Sequence, residues 1–137
     1  MRLGPIGFLV LGAGWMFQLQ AKPLDDREAT AKLIGTWMIR PDDHGLIMGN
    51  GIYIFRRDGT YTARGSVKVR DHYIDVEGQG NWRIANGVLF QDVTKSSLPE
   101  VVPIGRTYHD VLLGITDENC WIREEGGTEH IWNRYKP

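Results

Sequence analysis

The sequence has a single cysteine, and its charges nearly cancel. Because Cys120 is the single cysteine, an intramolecular disulfide is excluded. Its place in an apolar stretch predicts that it packs as a small apolar side chain. Sixteen Lys and Arg residues against seventeen Asp and Glu residues give a formal net charge of -1. Because there is no basic excess, the composition argues against a partner that is a nucleic acid or an anionic membrane surface.

Catalytic and metal-binding motifs are also lacking. The sequence has no Gly-x-Ser-x-Gly element, phosphate loop, dinucleotide fingerprint or His-Glu-x-x-His motif. Its four histidines are too scattered to suggest a metal site. The adjacent carboxylates Asp42-Asp43 and Glu124-Glu125 would point to opposite faces of a strand, so neither pair suits two-carboxylate acid/base chemistry. We therefore expect a protein that is not an enzyme and that uses no metal or cofactor.

One long apolar run is present, at residues 3–17. It follows a basic start and precedes a short polar stretch that ends in Ala21, which is the layout of a secretory signal peptide. The run is 15 residues long, whereas a membrane-spanning helix needs ~20, which disfavours the alternative of an uncleaved anchor. We expect cleavage after Ala21, with residues 1–21 as the signal peptide. Residues 22–137 would form one periplasmic or secreted domain without a membrane span.

The rest of the chain alternates between apolar and polar residues with the period of two that is typical of β-strands. Only residues 25–34 have helix signals, with Asp25 or Asp26 as the cap and Gly35 as the end. Turn signals such as Asn86-Gly87 separate eight predicted strands, near residues 35–41, 50–56, 60–70, 73–85, 88–95, 107–116, 120–125 and 128–135. The segment Ser96–Arg106 is predicted to be a longer loop.

The register of the hairpin between the third and fourth strands follows from its side-chain pattern. A turn at residues 71–72 would place the apolar side chains of both strands on one shared face. On the opposite face the same turn would set Lys68 beside Asp75 as a favourable cross-strand pair. A slip of one residue would bury charges, so the pattern predicts this pairing.

The preceding hairpin fits a three-residue loop at 57–59 with Gly59 in the left-handed conformation. This loop would pair Phe55 with Tyr61 on the inner face. It leaves Ile52 and Ile54 on the outer face, where cover by a helix or self-association would account for them.

Eight sequential antiparallel strands would leave two open edges if the sheet were flat. Closure into an up-and-down β-barrel removes those edges, so we expect an all-β barrel with a short N-terminal helix. A cluster of small residues, Ala63, Gly65, Gly78 and Gly80, lies on the predicted inner face. These residues would serve sharp barrel corners, an internal cavity, or both.

Three short motifs resemble a known family. Gly35-Thr36-Trp37, after the predicted helix, is similar to the Gly-x-Trp signature of lipocalins and the wider calycin superfamily. Arg134 stands where those proteins have an Arg that packs across the Trp ring, and Thr116-Asp117 resembles their Thr-Asp element. The chain looks like the small bacterial lipocalin-like domains, which implies that Trp37 and Arg134 close one barrel end. Arg134 and Tyr135 are adjacent, so the Arg-x-Tyr carboxylate site of fatty-acid-binding relatives is not matched.

The last hairpin leaves two orientations open. With Gly126-Gly127 as its turn, Trp121 would face Trp132 and Arg123 would face His130, all on one side. If that side faces inward, the Arg and His side chains could orient the acidic head of an apolar ligand. If it faces outward, those two side chains are solvated.

The leading hypothesis is an exported lipocalin-like protein that binds a small, mainly apolar molecule non-covalently. The predicted ligand-binding residues are Tyr53, Tyr61, Trp82, Trp121, Arg123, His130 and Trp132. One alternative is an envelope interaction protein with a filled barrel, which would use Ile52, Ile54 and the loop Ser96–Arg106 on its surface. A less favoured alternative is an enzyme built on the calycin fold.

Overall fold

The computed structural model describes residues 24–39 and 51–136 of the chain. The predicted signal peptide and its cleavage position after Ala21 lie outside the described residues. The described part has one helix and eight strands: α1 (Asp26–Leu33), β1 (Gly35–Ile39), β2 (Gly51–Phe55), β3 (Thr60–Val69), β4 (His72–Ala85), β5 (Val88–Ser96), β6 (Thr107–Ile115), β7 (Asn119–Arg123) and β8 (Glu129–Arg134).

The strands form a closed antiparallel barrel in sequence order. Each strand pairs with the next, and β8 returns to pair with β1, where Trp37 lies opposite Arg134. This confirms the predicted all-β, up-and-down barrel with a short N-terminal helix. Closure satisfies the backbone groups that a flat sheet would leave unpaired at its edges.

Helix α1 lies across one end of the barrel. Asp25 is its N-cap, and the Asp25 carboxylate accepts a hydrogen bond from the Arg27 N–H at 3.0 Å. The Asp26 carboxylate accepts from the N–H groups of Asn86 and Gly87, at 2.7 and 2.8 Å. Through these bonds the first residue of α1 is fastened to the turn between β4 and β5.

Trp37 and Arg134 complete this closed end. The Trp37 ring is fully buried, and its Nε1 donates to the Leu33 carbonyl at 2.8 Å. The Arg134 guanidinium lies 4.2 Å from the centre of that ring. It also donates to three carbonyls: Asp117 at 2.6 Å, Ile34 at 3.0 Å, and Lys32. Because each guanidinium nitrogen has a carbonyl partner, the half-buried arginine is compatible with an otherwise apolar floor.

The hairpin between β2 and β3 has the predicted register. Phe55 lies opposite Tyr61, and Gly59 has a φ of +88°. Because side chains alternate along a strand, this register places Ile52 and Ile54 on the outer face, and the exposed fraction of Ile52 is 36%. Their predicted self-association stays a prediction.

The hairpin between β3 and β4 turns one residue earlier than predicted. Arg70 adopts a φ of +57°, and the turn falls at residues 70–71, which pairs Val69 with His72. The partners therefore shift by two residues, so each residue keeps its predicted face. The predicted pairing of Lys68 with Asp75 is wrong, since Lys68 lies opposite Tyr73.

The small inner residues serve both of the predicted purposes. At Gly80 the β4–β5 register shifts, and an added Cβ would run into the Asp92 carbonyl, so this glycine permits a close backbone approach at a corner. Ala63, Gly65 and Gly78 instead line an internal cavity.

Candidate functional site

The barrel encloses a cavity of about 450 Å³ at the end opposite α1. Apolar and aromatic side chains form most of its wall, with a band of polar groups at one side. The lining residues are Ile39, Tyr53, Tyr61, Ala63, Arg64, Gly65, Val67, Val76, Gly78, Gln91, Val93, Val101, Val102, Arg106, Tyr108, Asp110, Glu124, Glu125, Gly126, Thr128, His130 and Trp132. A space of this size and character suits one small molecule.

The loop between β5 and β6 forms part of the mouth of this cavity. The C-terminal end of the loop is held against β5 by backbone hydrogen bonds from Val93 N–H to the Arg106 carbonyl at 2.9 Å and from Gly105 N–H to the Val93 carbonyl at 2.8 Å. Val101 and Val102 from the same loop line the cavity, and Val102 lies 3.9 Å from the place where a Cβ on Gly78 would be. The missing side chain at Gly78 thus makes room beneath the loop.

Three of the predicted aromatic residues line the cavity: Tyr53, Tyr61 and Trp132. Trp132 is buried, and its ring centre lies 4.8 Å from that of Tyr53. Burial raises the pKa of both tyrosines, so both remain neutral donors at physiological pH. Trp82 does not reach the cavity, because its Nε1 is bonded to the Arg56 carbonyl at 3.0 Å in the floor below.

The predicted register of the last hairpin is wrong by one residue. The Glu124 N–H bonds to the Thr128 carbonyl at 2.8 Å, which leaves a three-residue loop at 125–127 with Gly127 at a φ of +95°. A shift of one residue separates side chains that a two-residue turn would put on the same face.

Trp121 and Arg123 therefore lie on the outer face, apart from His130 and Trp132. Trp121 lies opposite Ile131, an exposed residue, and Arg123 is bonded to the Glu129 carboxylate at 3.2 and 3.0 Å. The expectation that Trp121 and Arg123 belong to a pocket wall is thus corrected.

His130 does face the cavity, but its environment differs from the predicted one. The exposed fraction of its side chain is 8%, and its Nε2 lies 3.3 Å from Glu124 Oε2. The residue that was expected to help hold a ligand acid thus already lies beside a carboxylate of the protein.

Two polar residues of the wall were missed by the sequence analysis. Gln91 and Asp110 are only 3% and 9% exposed, and both line the cavity from neighbouring strands. A signal was available, because Gln91 has the parity of the buried Leu89, and Asp110 has that of the buried Leu112. A polar residue in a row of apolar ones is the mark of a buried polar group.

Burial is the main cause that raises the pKa of Asp110 to about 7. The charges of Glu124 and Glu125 act in the same direction, and His130 acts against them. Burial also raises the pKa of Cys120 to about 12, so its thiol remains protonated and unreactive. The cavity thus holds a carboxyl group that changes charge near neutral pH.

Two features are absent from residues 24–39 and 51–136, the part of the chain that the structure describes. In those ranges no group of three or more His, Cys, Asp or Glu side chains is arranged to hold a metal ion. The same ranges contain no helix with the length and apolar character that crossing a membrane requires.

The fold and cavity define a closed up-and-down β-barrel with an interior of ligand size. No protein-family model matches the chain, and no curated protein matches it. Among solved structures it is similar to a lipocalin-like protein from Bacteroides uniformis, with a TM-score of 0.51 and 15% identity over 76% of this chain and 99% of that chain. An uncharacterized protein from Bacteroides eggerthii has a TM-score of 0.47 and 15% identity over 74% and 98% of the two chains. The chain has the lipocalin-like fold that its Gly-x-Trp motif implied.

Proposed function

We propose that the protein binds one small, mainly apolar molecule non-covalently in the barrel, without chemical turnover. The observation that supports this most directly is the cavity of about 450 Å³ with its largely apolar and aromatic wall. An interior left open at the mouth does not match the filled barrel that the interaction-protein alternative requires. The lipocalin-like fold is compatible with this function.

The small residues give the proposal further support. Replacing Gly65 and Gly78 by ordinary apolar residues would fill the space with side chains and stabilise the barrel by burial. Glycine also weakens a strand, since it has no side chain to pack. Keeping both glycines on the cavity wall gives up stability and leaves the space open.

Titration of tryptophan fluorescence with apolar ligands tests the proposal, because Trp132 forms part of the wall. We expect saturable binding in the natural protein. In Gly78→Phe, whose ring would enter the cavity, we expect binding to be lost, with the β-sheet signal in circular dichroism retained. Arg123→Ala is the matched control on the outer face and should bind as the natural protein does. Equal binding in Gly78→Phe would show that the ligand lies elsewhere.

Export is the second part of the proposal. It is supported by the basic start, the apolar run and the small residue Ala21 of the N-terminal sequence. Mass spectrometry of the protein expressed in a Gram-negative host should find a product that begins at Lys22 in the periplasmic fraction. A full-length product confined to the cytoplasm would contradict this part and would leave the binding proposal intact.

A further inference from the structure

We propose that the polar end of the ligand is a protonated amine, which pairs with the Asp110 carboxylate and with the side-chain oxygen of Gln91. This inference rests on the proposed function and names the chemical class of its ligand. It replaces the acidic head group that the sequence analysis expected.

Among the described residues, the basic side chains of the cavity wall already lie beside carboxylates. Arg106 Nη2 lies 3.1 Å from Glu125 Oε1, and the same guanidinium lies over the Tyr108 ring. Arg64 Nε lies 3.6 Å from Glu77 Oε2. His130 Nε2 lies 3.3 Å from Glu124 Oε2. An acidic ligand would have to compete with these carboxylates for each basic side chain.

Asp110 and Gln91 are in the opposite situation. Both residues are buried, and they line the same cavity from β6 and β5. Among the described residues, neither side chain has a hydrogen bond or an ion pair. Buried polar groups nearly always have a partner, and within the described part of the chain these two side chains are left open to a partner that enters the cavity.

The register places the two acceptors close together. Gln91 lies opposite Tyr108 and Leu89 lies opposite Asp110, so Gln91 and Asp110 are diagonal neighbours on one face of the sheet. The apolar body of the ligand would lie along Tyr61, Val93 and Trp132, which face the same space. An ammonium group carries three donors and no acceptor, which fits a carboxylate beside an amide oxygen.

The charges around Asp110 favour a cation over a neutral donor. The groups that act on it or feel its charge are Glu124 and Glu125 at the end of β7, His130 on β8, Tyr108 on β6, Tyr53 on β2 and Cys120 on β7. Burial raises the pKa of Asp110 to about 7, and the two carboxylates among these groups act in the same direction. A bound ammonium would lower that pKa and release a proton.

Three ligands of one chain length test the inference: decylamine, decanol and decanoate, compared by calorimetry at about pH 8. We expect decylamine to bind about tenfold or more tightly than the other two, which is the size of effect that a buried charge pair produces. In Asp110→Asn this preference should fall to about threefold or less. Glu129→Gln removes an exposed carboxylate on the outer face and should keep the preference.

The dependence on pH gives a second readout that does not need a variant. Decylamine remains protonated, so its affinity should rise as Asp110 ionises between about pH 5 and about pH 7, and then level off. At about pH 6, calorimetry in buffers of different ionisation enthalpy should detect release of a proton on binding.

The outcomes separate the two proposals. If decanol or decanoate binds the natural protein as tightly as decylamine, the amine inference is overturned and the binding function stands. If decylamine is preferred equally in Asp110→Asn, the site on Asp110 is overturned. If none of the three binds, both proposals fail.

Discussion

The two ends of the barrel treat buried polar groups in opposite ways. At the closed end, Arg134 donates to three backbone carbonyls and Trp37 donates to a fourth. At the open end, Asp110 and Gln91 face a cavity without a side-chain hydrogen bond among the described residues. The difference indicates that the closed end contributes stability, whereas the open end gives up some stability to keep a binding space.

The largest contrast between the ends should come from removing a closed-end aromatic ring. Trp37→Ala empties a site that is fully buried, so we expect a loss of about 3–5 kcal/mol in the free energy of unfolding. The same change at the half-buried Trp121 on the outer face should cost about 1 kcal/mol. Urea unfolding followed by circular dichroism measures both. Equal losses would contradict a floor built around Trp37.

The pH dependence of stability should reveal the buried carboxyl of the open end. The folded-state pKa of Asp110 is about 7, against a usual value of 3.8, so the folded state binds its proton more tightly than the unfolded state does. Below pH 3.8 both states are protonated, and between 3.8 and 7 the stability falls as pH rises. We expect a loss of about 2–4 kcal/mol over that window relative to Asp110→Asn, in which this contribution is absent.

Urea unfolding of both proteins at several pH values from about 4 to about 8 makes the comparison. The exposed carboxylate variant Glu129→Gln serves as control and should follow the natural protein. Parallel stability curves for the natural protein and Asp110→Asn would contradict the raised pKa.

Two arginines sharpen the same contrast with an identical substitution. Arg134→Ala removes several hydrogen bonds to carbonyls and the contact with Trp37, so we expect a loss of about 2–3 kcal/mol. Arg123 forms one exposed ion pair with Glu129, so Arg123→Ala should cost less than about 0.5 kcal/mol. Thermal unfolding ranks the two variants. A larger loss of stability in Arg123→Ala than in Arg134→Ala would contradict the conclusion that the closed end stabilises the barrel.

The smallest effect should come from two glycines. Gly35 has a φ of +132°, and an added Cβ would collide with the Arg134 guanidinium, so Gly35→Ala should lose about 1–2 kcal/mol. Gly126 at the open end has free space around it, and Gly126→Ala should stay within about 0.5 kcal/mol of the natural protein. Differential scanning calorimetry can resolve both values. A stable Gly35→Ala would indicate that Arg134 can move aside.

The sequence was sufficient for the fold and the closed end, because local rules decide them. Alternation of apolar and polar residues predicted the strands, and Gly59 predicted the register between β2 and β3. The Gly-x-Trp motif led to Trp37 and Arg134, whose contact the structure shows. At these positions the backbone conformation and the burial favour the same residues.

The open end was harder to predict, because the final hairpin has apolar residues on both faces. Trp121 and Ile122 compete for the inner side, and a loop of two or of three residues decides between them. Two adjacent glycines permit either loop. Gln91 and Asp110 were missed for a related reason. A prediction from hydrophobic alternation assigns apolar residues to the inner face, so it overlooks the polar residues that line a cavity there.

The pairing of β1 with β8 has a consequence for biogenesis. Every other strand contact described here joins neighbours in the chain, whereas this seam joins segments about a hundred residues apart, as the bond from Arg134 to Ile34 shows. A nascent or truncated chain without β8 would expose the edges of β1 and β7, whose unpaired backbone groups are templates for aggregation. Only the complete chain can pair β8 with β1, and this pairing removes the exposed edges through which copies of the chain could aggregate.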